Sequence, residues 1–366
     1  MATPSLTFPR SVFAKLSPHP YLLRTLTTSP DDTTTTTPTR TNGRAPSEPR
    51  PLKIHTSSLS HAHGSALVRA GDTTVICGVR AEILPVTSIP QYRPVTDYDA
   101  LAEDEEEKER RDRAELKDYD LLVPNIELAT GCAPQFLPGV PPSTLAQTVS
   151  TRVYSLLHGS GVVGVEGLRV WDTSRVGATA EGVDEEEEEK PRLVAYWTLY
   201  IDLLFVSYDG NPFDAAWTAV VAALRDTKLP EVRWDPDREA AVCGSRTERA
   251  KALGVRGLPV ACSAVVFLEK ERGEPGEGRH WLLLDPDRLE EGLCGEAITV
   301  VVDCEGGETR VRAMEKVGGV VVGRELVRGF VGVAEKRWKE VKAAMNMDGQ
   351  AHGALGAFVE EAGSSR

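Results

Sequence analysis

The sequence predicts an α+β body made of two successive β-sheet and helix halves, and three observations lead there. Strand-length runs rich in β-branched residues alternate with apolar patterns of helical period, first between residues 72 and 224 and again between 260 and 345. A hydrophobic content of 41% with six tryptophans in 366 residues is enough to bury a full core. The strongly polar stretches are gathered into discrete inserts between the patterned segments.

The elements follow in order. "DDTTTTTPTRTNGRAPSEPR", residues 31–50, reads as a polar linker. Asp72 to Leu84 is a β-branched strand bounded by Gly71 and Pro85. "GSALVRAGDTTVICG" before and within it reads as a hairpin, with "RAGDTT" supplying the turn. Ala195 to Tyr208 alternates as a strand and ends at "DGNP". From Phe213 the apolar positions Ala216, Trp217, Val220, Val221 and Leu224 recur at helical spacing, which predicts a helix packed on the sheet. Strands over Val260–Leu268, Trp281–Leu284 and Ile298–Val302 come next. A long helix then starts near Glu325, with Val327, Phe330, Ala334, Trp338, Val341 and Met345 on one face. Trp197, Trp217 and Trp338 fall on strand or helix faces and read as core. The expected organisation is a helical extension over 1–27, a polar linker over 28–49, a first half over 50–235, a second half over 236–346 ending in the long helix, and a tail over 347–366. Acidic inserts near 99–113 and 181–191 interrupt the first half and read, with 270–280, as solvated loops.

Charge and cysteines restrict the function. The formal net charge of −13 argues against a nucleic-acid partner, but Asp99–Arg113 carries −4 and Glu181–Lys190 carries −6. Those two runs hold −10 of the −13, so the remainder is nearly neutral and has room for a local basic surface. The six cysteines form no CxxC pair, which excludes a zinc ribbon and a redox motif. His61 and His63 have no third ligand nearby, and the chain lacks GxxxxGK[ST] and GxGxxG, so neither a metal nor a cofactor is expected. No apolar run reaches about 18 residues, and a reduced, intracellular, soluble protein with no membrane partner is expected. Arg10, Lys15 and Arg24, with no acid before Asp31, share the composition of a transit peptide, but Pro18 and Pro20 would break an amphipathic targeting helix.

A resemblance adds to this reading. "NGRAPSEPRPLKI", "GSALVRAGDTTVICGVRAEI", "LVPNIEL", "GVPPSTLAQTVSTRVYSLL", "LYIDLLFVSYDGNPFDAAWTAVVAALRDTKLPEV", "LLLDPDRLEE" and "EKVGG" occur in an order that resembles the RNase PH family, over roughly residues 42–345. "LSPHPYLLRTL" is similar to the short N-terminal helix of RNA exosome ring subunits, and "VICGVRAE", "SYDGNPFDA" and "LLLDP" together resemble a non-catalytic ring subunit. The resemblance implies an RNase PH-like fold with two pseudo-symmetric halves. Active members of that family cleave RNA from its 3′ end by phosphorolysis, with a pattern like "GGTRTAA" whose arginine and hydroxyls hold phosphate.

That pattern falls on Gly210, Asn211, Pro212, Phe213, Asp214, Ala215 and Ala216, so Phe213 stands where the arginine belongs. Asp214, in the first helical turn, suits the helix dipole and would repel a phosphate arriving there. The acidic pattern like "DLDYEED" falls on "DPDRLEE", where Asp285 is kept and Glu291 replaces the last aspartate. Asn211, Pro212, Phe213 and Asp214 are therefore expected to be a degenerate phosphate site, and Asp285 and Glu291 a degenerate acidic site. The implied role is a non-enzymatic member of a six-chain ring. Its partners would be other RNase PH-like ring subunits, RNA-binding cap subunits, associated 3′-to-5′ exoribonucleases and single-stranded RNA, in the nucleus, nucleolus and cytoplasm. Arg80 and Arg152 are the candidate RNA-backbone contacts, with surface ion pairs an equal explanation. Two other readings stay open: an active phosphate-dependent exoribonuclease with its anion site elsewhere, and a protein-binding module that uses the acidic loops.

Overall fold

The computed structural model describes residues 9–27, 38–93, 105–172, 192–235, 238, 240–244, 249–269, 279–319 and 321–363. Two short helices, α1 (Arg10–Leu16) and α2 (Pro18–Leu26), open the chain. Pro18 occupies the first turn of α2, where its missing N–H costs nothing, so the prolines divide this segment into two helices.

The first sheet contains β1 (Leu52–Thr56), β2 (Gly64–Ala70), β3 (Thr73–Pro85), β4 (Leu122–Leu128), β5 (Arg169–Asp172) and β6 (Arg192–Ser207). Its path runs β1-β2-β3-β6-β4, with β5 also on β6, and every pair is antiparallel except β4 with β6. β2 and β3 form the expected hairpin, Ala70 facing Thr73 across Gly71 and Asp72. Gly71 has a φ of +60°, and a Cβ there would lie 2.6 Å from the Arg50 side chain, so both turn and packing require glycine. Pro124 is tolerated because β4 ends the path, where a missing N–H breaks no ladder.

Between β3 and β6 lie helices α3 (Glu105–Asp118) and α4 (Thr144–Ser160). Ser143 caps α4 by accepting from the Ala146 amide, and Gly161 closes it in the left-handed region. After β6 comes α5 (Pro212–Asp226), buried from Phe213 to Leu224 apart from Asp214. Its alanines at 215, 216, 219, 222 and 223 let elements from both halves approach its backbone.

The pairs β7 (Lys228–Leu229), β8 (Val232–Asp235), β9 (Ala240–Cys243) and β10 (Lys251–Ala252) bridge to the second half: β7 pairs with β10, and β8 with β9. The expected division at 235/236 falls at the end of β8. The second sheet is antiparallel in the order β12-β11-β13-β14, from β11 (Val260–Leu268), β12 (His280–Leu284), β13 (Glu296–Asp303) and β14 (Arg310–Val317). α6 (Arg288–Leu293) lies between β12 and β13, and α7 (Arg324–Gly363) follows β14. The indoles of Trp217 on α5 and Trp338 on α7 donate to the Pro259 and Leu258 carbonyls, both at 2.8 Å, so the two helices are tied to the segment entering β11. All three tryptophans expected in the core are buried.

Three expectations change. Residues 105–113 of the first acidic insert belong to helix α3, not to a solvated loop. Leu116 is buried, and Asp112 and Glu115 turn inward to Arg169, with N–O distances of 3.4 and 2.5 Å. Glu115 also accepts from the Tyr196 hydroxyl, so buried charge pairing docks a helix whose outer face stays polar. Residues 38–49, expected as linker, are packed in place because Arg40 is fully buried against Glu290 at 3.2 Å. The final helix continues to Gly363, through most of the expected tail, since no proline interrupts it. The insert over 181–191 lies outside the described residues.

Arg169→Met would strand two buried carboxylates, and a loss of about 3 to 5 kcal/mol is expected in urea unfolding of the full chain. Arg80→Ala, which opens an exposed pair with Glu82 and a contact over the Tyr200 ring, should cost less than about 1 kcal/mol in the same assay.

Candidate functional site

The two halves meet at the entrance of α5. Gly210, φ +78°, is pressed against the start of α6: a Cβ there would lie 2.5 Å from the Arg288 amide nitrogen. Asn211 follows in the left-handed region, φ +46°, and Pro212 begins the helix. Burial raises the Asp214 carboxyl, and hydrogen bonds offset this: it accepts from the Ser263 amide (2.8 Å) and hydroxyl (2.7 Å) and from the Asn211 side-chain amide (2.9 Å). That same Asn211 amide also donates to Asp285 at 2.8 Å.

Asp285 is the most heavily engaged acid. Arg50 donates to it from its backbone N–H (2.8 Å), Nε (3.0 Å) and Nη2 (2.7 Å). Arg50 also reaches the Asp209 and Gly210 carbonyls, while Arg44 reaches the Asp285 carbonyl. Burial pushes the Asp285 carboxyl up, but the Arg50 guanidinium and the Asn211 hydrogen bond outweigh it and hold the group down at about 2. Glu291 accepts from the Asn211 backbone N–H (2.7 Å) and the Tyr208 hydroxyl (2.9 Å), and burial still raises its carboxyl.

Phe213 is buried, and the Arg152 guanidinium lies 3.9 Å from its ring centroid. Arg152 pairs through Nε with Glu315 at 2.5 Å and donates from Nη2 to Thr299 at 2.9 Å. The Thr299 hydroxyl is 2.8 Å from that of Ser263, which donates to Asp214. A continuous polar path thus runs Asp285, Asn211, Asp214, Ser263, Thr299, Arg152, Glu315.

The structure brings Asn211, Asp214, Asp285, Glu291 and Arg152 into one network with Phe213. Arg80 lies apart, on β3, exposed and 2.8 Å from Glu82. Sequence reasoning missed Arg50, Ser263, Thr299 and Glu315. A signal existed for two of them: Ser263 and Thr299 are single polar residues in the apolar runs "VACSAVVFL" and "AITVVV". His63, weighed as a metal ligand, accepts from the Ala81 amide through Nδ1 at 3.1 Å.

The space at this entrance is unequal on its two sides. Beside Asn211, Asp214 and Asp285 the cavity is about 10 Å³, room for no more than one water. On the far side of Phe213, a cleft of about 450 Å³ opens between α4 and β14, bordered by Ser155, Leu156, Val301, Met314 and the paired Arg152 and Glu315.

A sheet-and-helix pair laid twice around a central helix, with the motif order read from the sequence, identifies the class. The 3′ exoribonuclease family, domain 1, matches residues 48–230, and the chain belongs to this RNase PH family. It is 29% identical to the exosome complex component rrp43 of Schizosaccharomyces pombe over 334 residues, covering 91% of this chain and 97% of that one. It is 28% identical to the exosome complex component Rrp42 of Methanothermobacter thermautotrophicus over 298 residues, covering 81% and 86%. Among solved structures, it is similar in fold to a chain of the Archaeoglobus fulgidus exosome with RNA bound to the active site, at TM-score 0.58 and 23% identity, covering 91% of this chain and 98% of that one. A chain of an archaeal exosome core aligns at TM-score 0.52 and 23% identity, covering 83% and 91%.

The pH dependence of stability follows from Asp285. Its folded value is depressed below the ordinary 3.8, so its contribution is present above about pH 4 and is lost as pH falls toward about 2. A difference of nearly two pKa units corresponds to about 2 kcal/mol. Unfolding of the wild type and Asp285→Asn at a series of pH values should show their stability difference shrinking by that amount across this window.

Proposed function

We propose that this chain is a non-catalytic structural subunit of an RNA exosome core ring, comparable to rrp43 of Schizosaccharomyces pombe. In this reading it supports 3′-to-5′ RNA processing and degradation, including rRNA maturation and mRNA turnover, by helping to channel single-stranded RNA to a separate exoribonuclease. Its partners are other RNase PH-like ring subunits and RNA-binding cap subunits, and it works in the nucleus, nucleolus and cytoplasm. The similarity to exosome components over nearly the whole chain supports the ring role.

The observation that carries the lack of catalysis is that the α5 entrance is filled from within. Glu291 takes the Asn211 N–H, Asp214 is held inside by Ser263 and Asn211, and Arg50 neutralises Asp285. Phe213 supplies no charge, and the adjoining cavity of about 10 Å³ has no room for phosphate. Asn211, Pro212, Phe213 and Asp214 are then the remains of a phosphate site, and Asp285 and Glu291 those of an acidic pair, all of them now bonded to their own fold. Arg152, engaged by Phe213, Thr299 and Glu315, serves the fold, while Arg80 is the exposed candidate for an RNA phosphate.

Apolar residues exposed on two surfaces support docking to ring neighbours. Val311, Met314 and Val317 lie on β14, at the end of the second sheet, and Leu204 and Val206 lie on β6. The chain alone is expected to self-associate and to melt below the same chain co-expressed with its neighbours. A monodisperse monomer of equal thermal stability would refute the obligate-subunit role.

Incubated with single-stranded RNA and inorganic phosphate, in a ring whose hydrolytic nuclease is inactivated, the chain should release no nucleoside diphosphates. Phe213→Arg should not restore release, because Asp214, Pro212 and Glu291 remain and catalytic groups act as a unit. Phosphate-dependent trimming by the unmodified chain would overturn the proposal. Trimming by the arginine variant alone would reduce the lesion to one residue.

A further inference from the structure

We propose that the outward face of α7 is a binding track for the backbone of single-stranded RNA, separate from the α5 entrance. This inference rests on the RNA-handling role proposed above.

α7 buries Phe330, Ala334, Trp338 and Val341 against the body. Its opposite face carries Arg324, Arg328, Lys336 and Lys339, all exposed. At about 3.6 residues per turn these four share one third of the helix circumference, and they span about 22 Å along it. Lys342 extends the row, its ammonium 4.7 Å from the Trp338 ring centroid.

Several arginines elsewhere in the fold are engaged by acids. Arg80, Arg113, Arg225 and Arg256 are each paired with a carboxylate. Among the described residues, none of Arg324, Arg328, Lys336 and Lys339 forms an ion pair. Two acids share this sector, Glu325 and Glu335, the latter accepting from Thr309 at 2.7 Å, while Glu340 is held by Arg337 at 2.8 Å, so cations outnumber acids along the row. A row with more cations than acids on a chain of net charge −13 is a local reversal of sign.

The same face shows which polyanion fits. The exposed positions between and beyond the cations include Gly329, Gly332 and Ala343, with no aromatic or large aliphatic side chain to anchor a protein partner. A nucleic-acid backbone needs no such anchor, since phosphate neutralisation and counterion release supply its affinity. A flat, unspecific row of this length therefore fits single-stranded RNA in any sequence.

The test uses the full chain assembled with its ring neighbours and a labelled mixed-sequence single-stranded RNA, followed by anisotropy across salt concentrations. Arg324→Gln, Arg328→Gln, Lys336→Gln and Lys339→Gln are combined, all at surface positions outside the core. Loss of four phosphate contacts should lower the slope of log affinity against log salt by about 3, roughly 50-fold less salt sensitivity between about 50 and 200 mM. A charge-matched control, Lys53→Gln, Arg93→Gln, Lys228→Gln and Lys251→Gln, should keep the wild-type slope. An unchanged slope in the α7 variant, an equal fall in the control, or loss of poly-glutamate binding in place of RNA binding would overturn the track. Failure of the chain to join a ring counts against the proposed function, and the same titration on the chain alone then decides the track.

Discussion

The pairing of Arg50 with Asp285 is the constraint on which the remaining structure depends. Arg50 precedes the first strand, Asp285 directly follows β12 of the second half, and the guanidinium also binds the carbonyls of Asp209 and Gly210 at the entrance of α5. One buried cation thus joins both sheets to the central helix. Such a pair gains its attraction only with full hydrogen-bond satisfaction, and here the carboxylate receives donors from Arg50 and Asn211. Gly71 and Gly210 are the local conditions for it. One leaves room for the arginine stem, and the other lets the turn before α5 touch the start of α6.

Once Asp285 is committed in this way, the surrounding polar groups fall into place. Asn211, its backbone in the left-handed region, bridges Asp285 and Asp214, and Asp214 reaches the second sheet through Ser263. Beyond Ser263 the path continues through Thr299 to Arg152 and Glu315 on α4 and β14. Asp214 and Asp285 are saturated by their own neighbours, which ties the two halves together.

The periphery follows a related rule. Helix α3 is rich in charge, yet it docks because Asp112 and Glu115 meet Arg169 and the Tyr196 hydroxyl. Segment 38–49 docks because Arg40 and Arg44 meet Glu290, whose helix α6 is itself closed by the reciprocal Asp287 and Glu290 cap. Elements that look solvated by composition are thereby part of the body, and apolar side chains are left on β14 and β6 for contacts outside it.

The sequence by itself determined the hairpin of β2 and β3, the strands β6 and β11, the apolar helix α5 and the buried face of α7. Each is written in a local period of two or 3.6 residues that needs no distant partner to be read. Only the tertiary structure decided that Arg50 would seek Asp285, that Ser263 and Thr299 would carry Asp214 toward Arg152, and that an acidic insert would become a docked helix. Those outcomes depend on charges and hydroxyls brought together from far apart in the chain, as Arg50 and Asp285 are across 235 positions. Hydrophobic periodicity records which face of an element is buried, but it does not record which polar group will be waiting there.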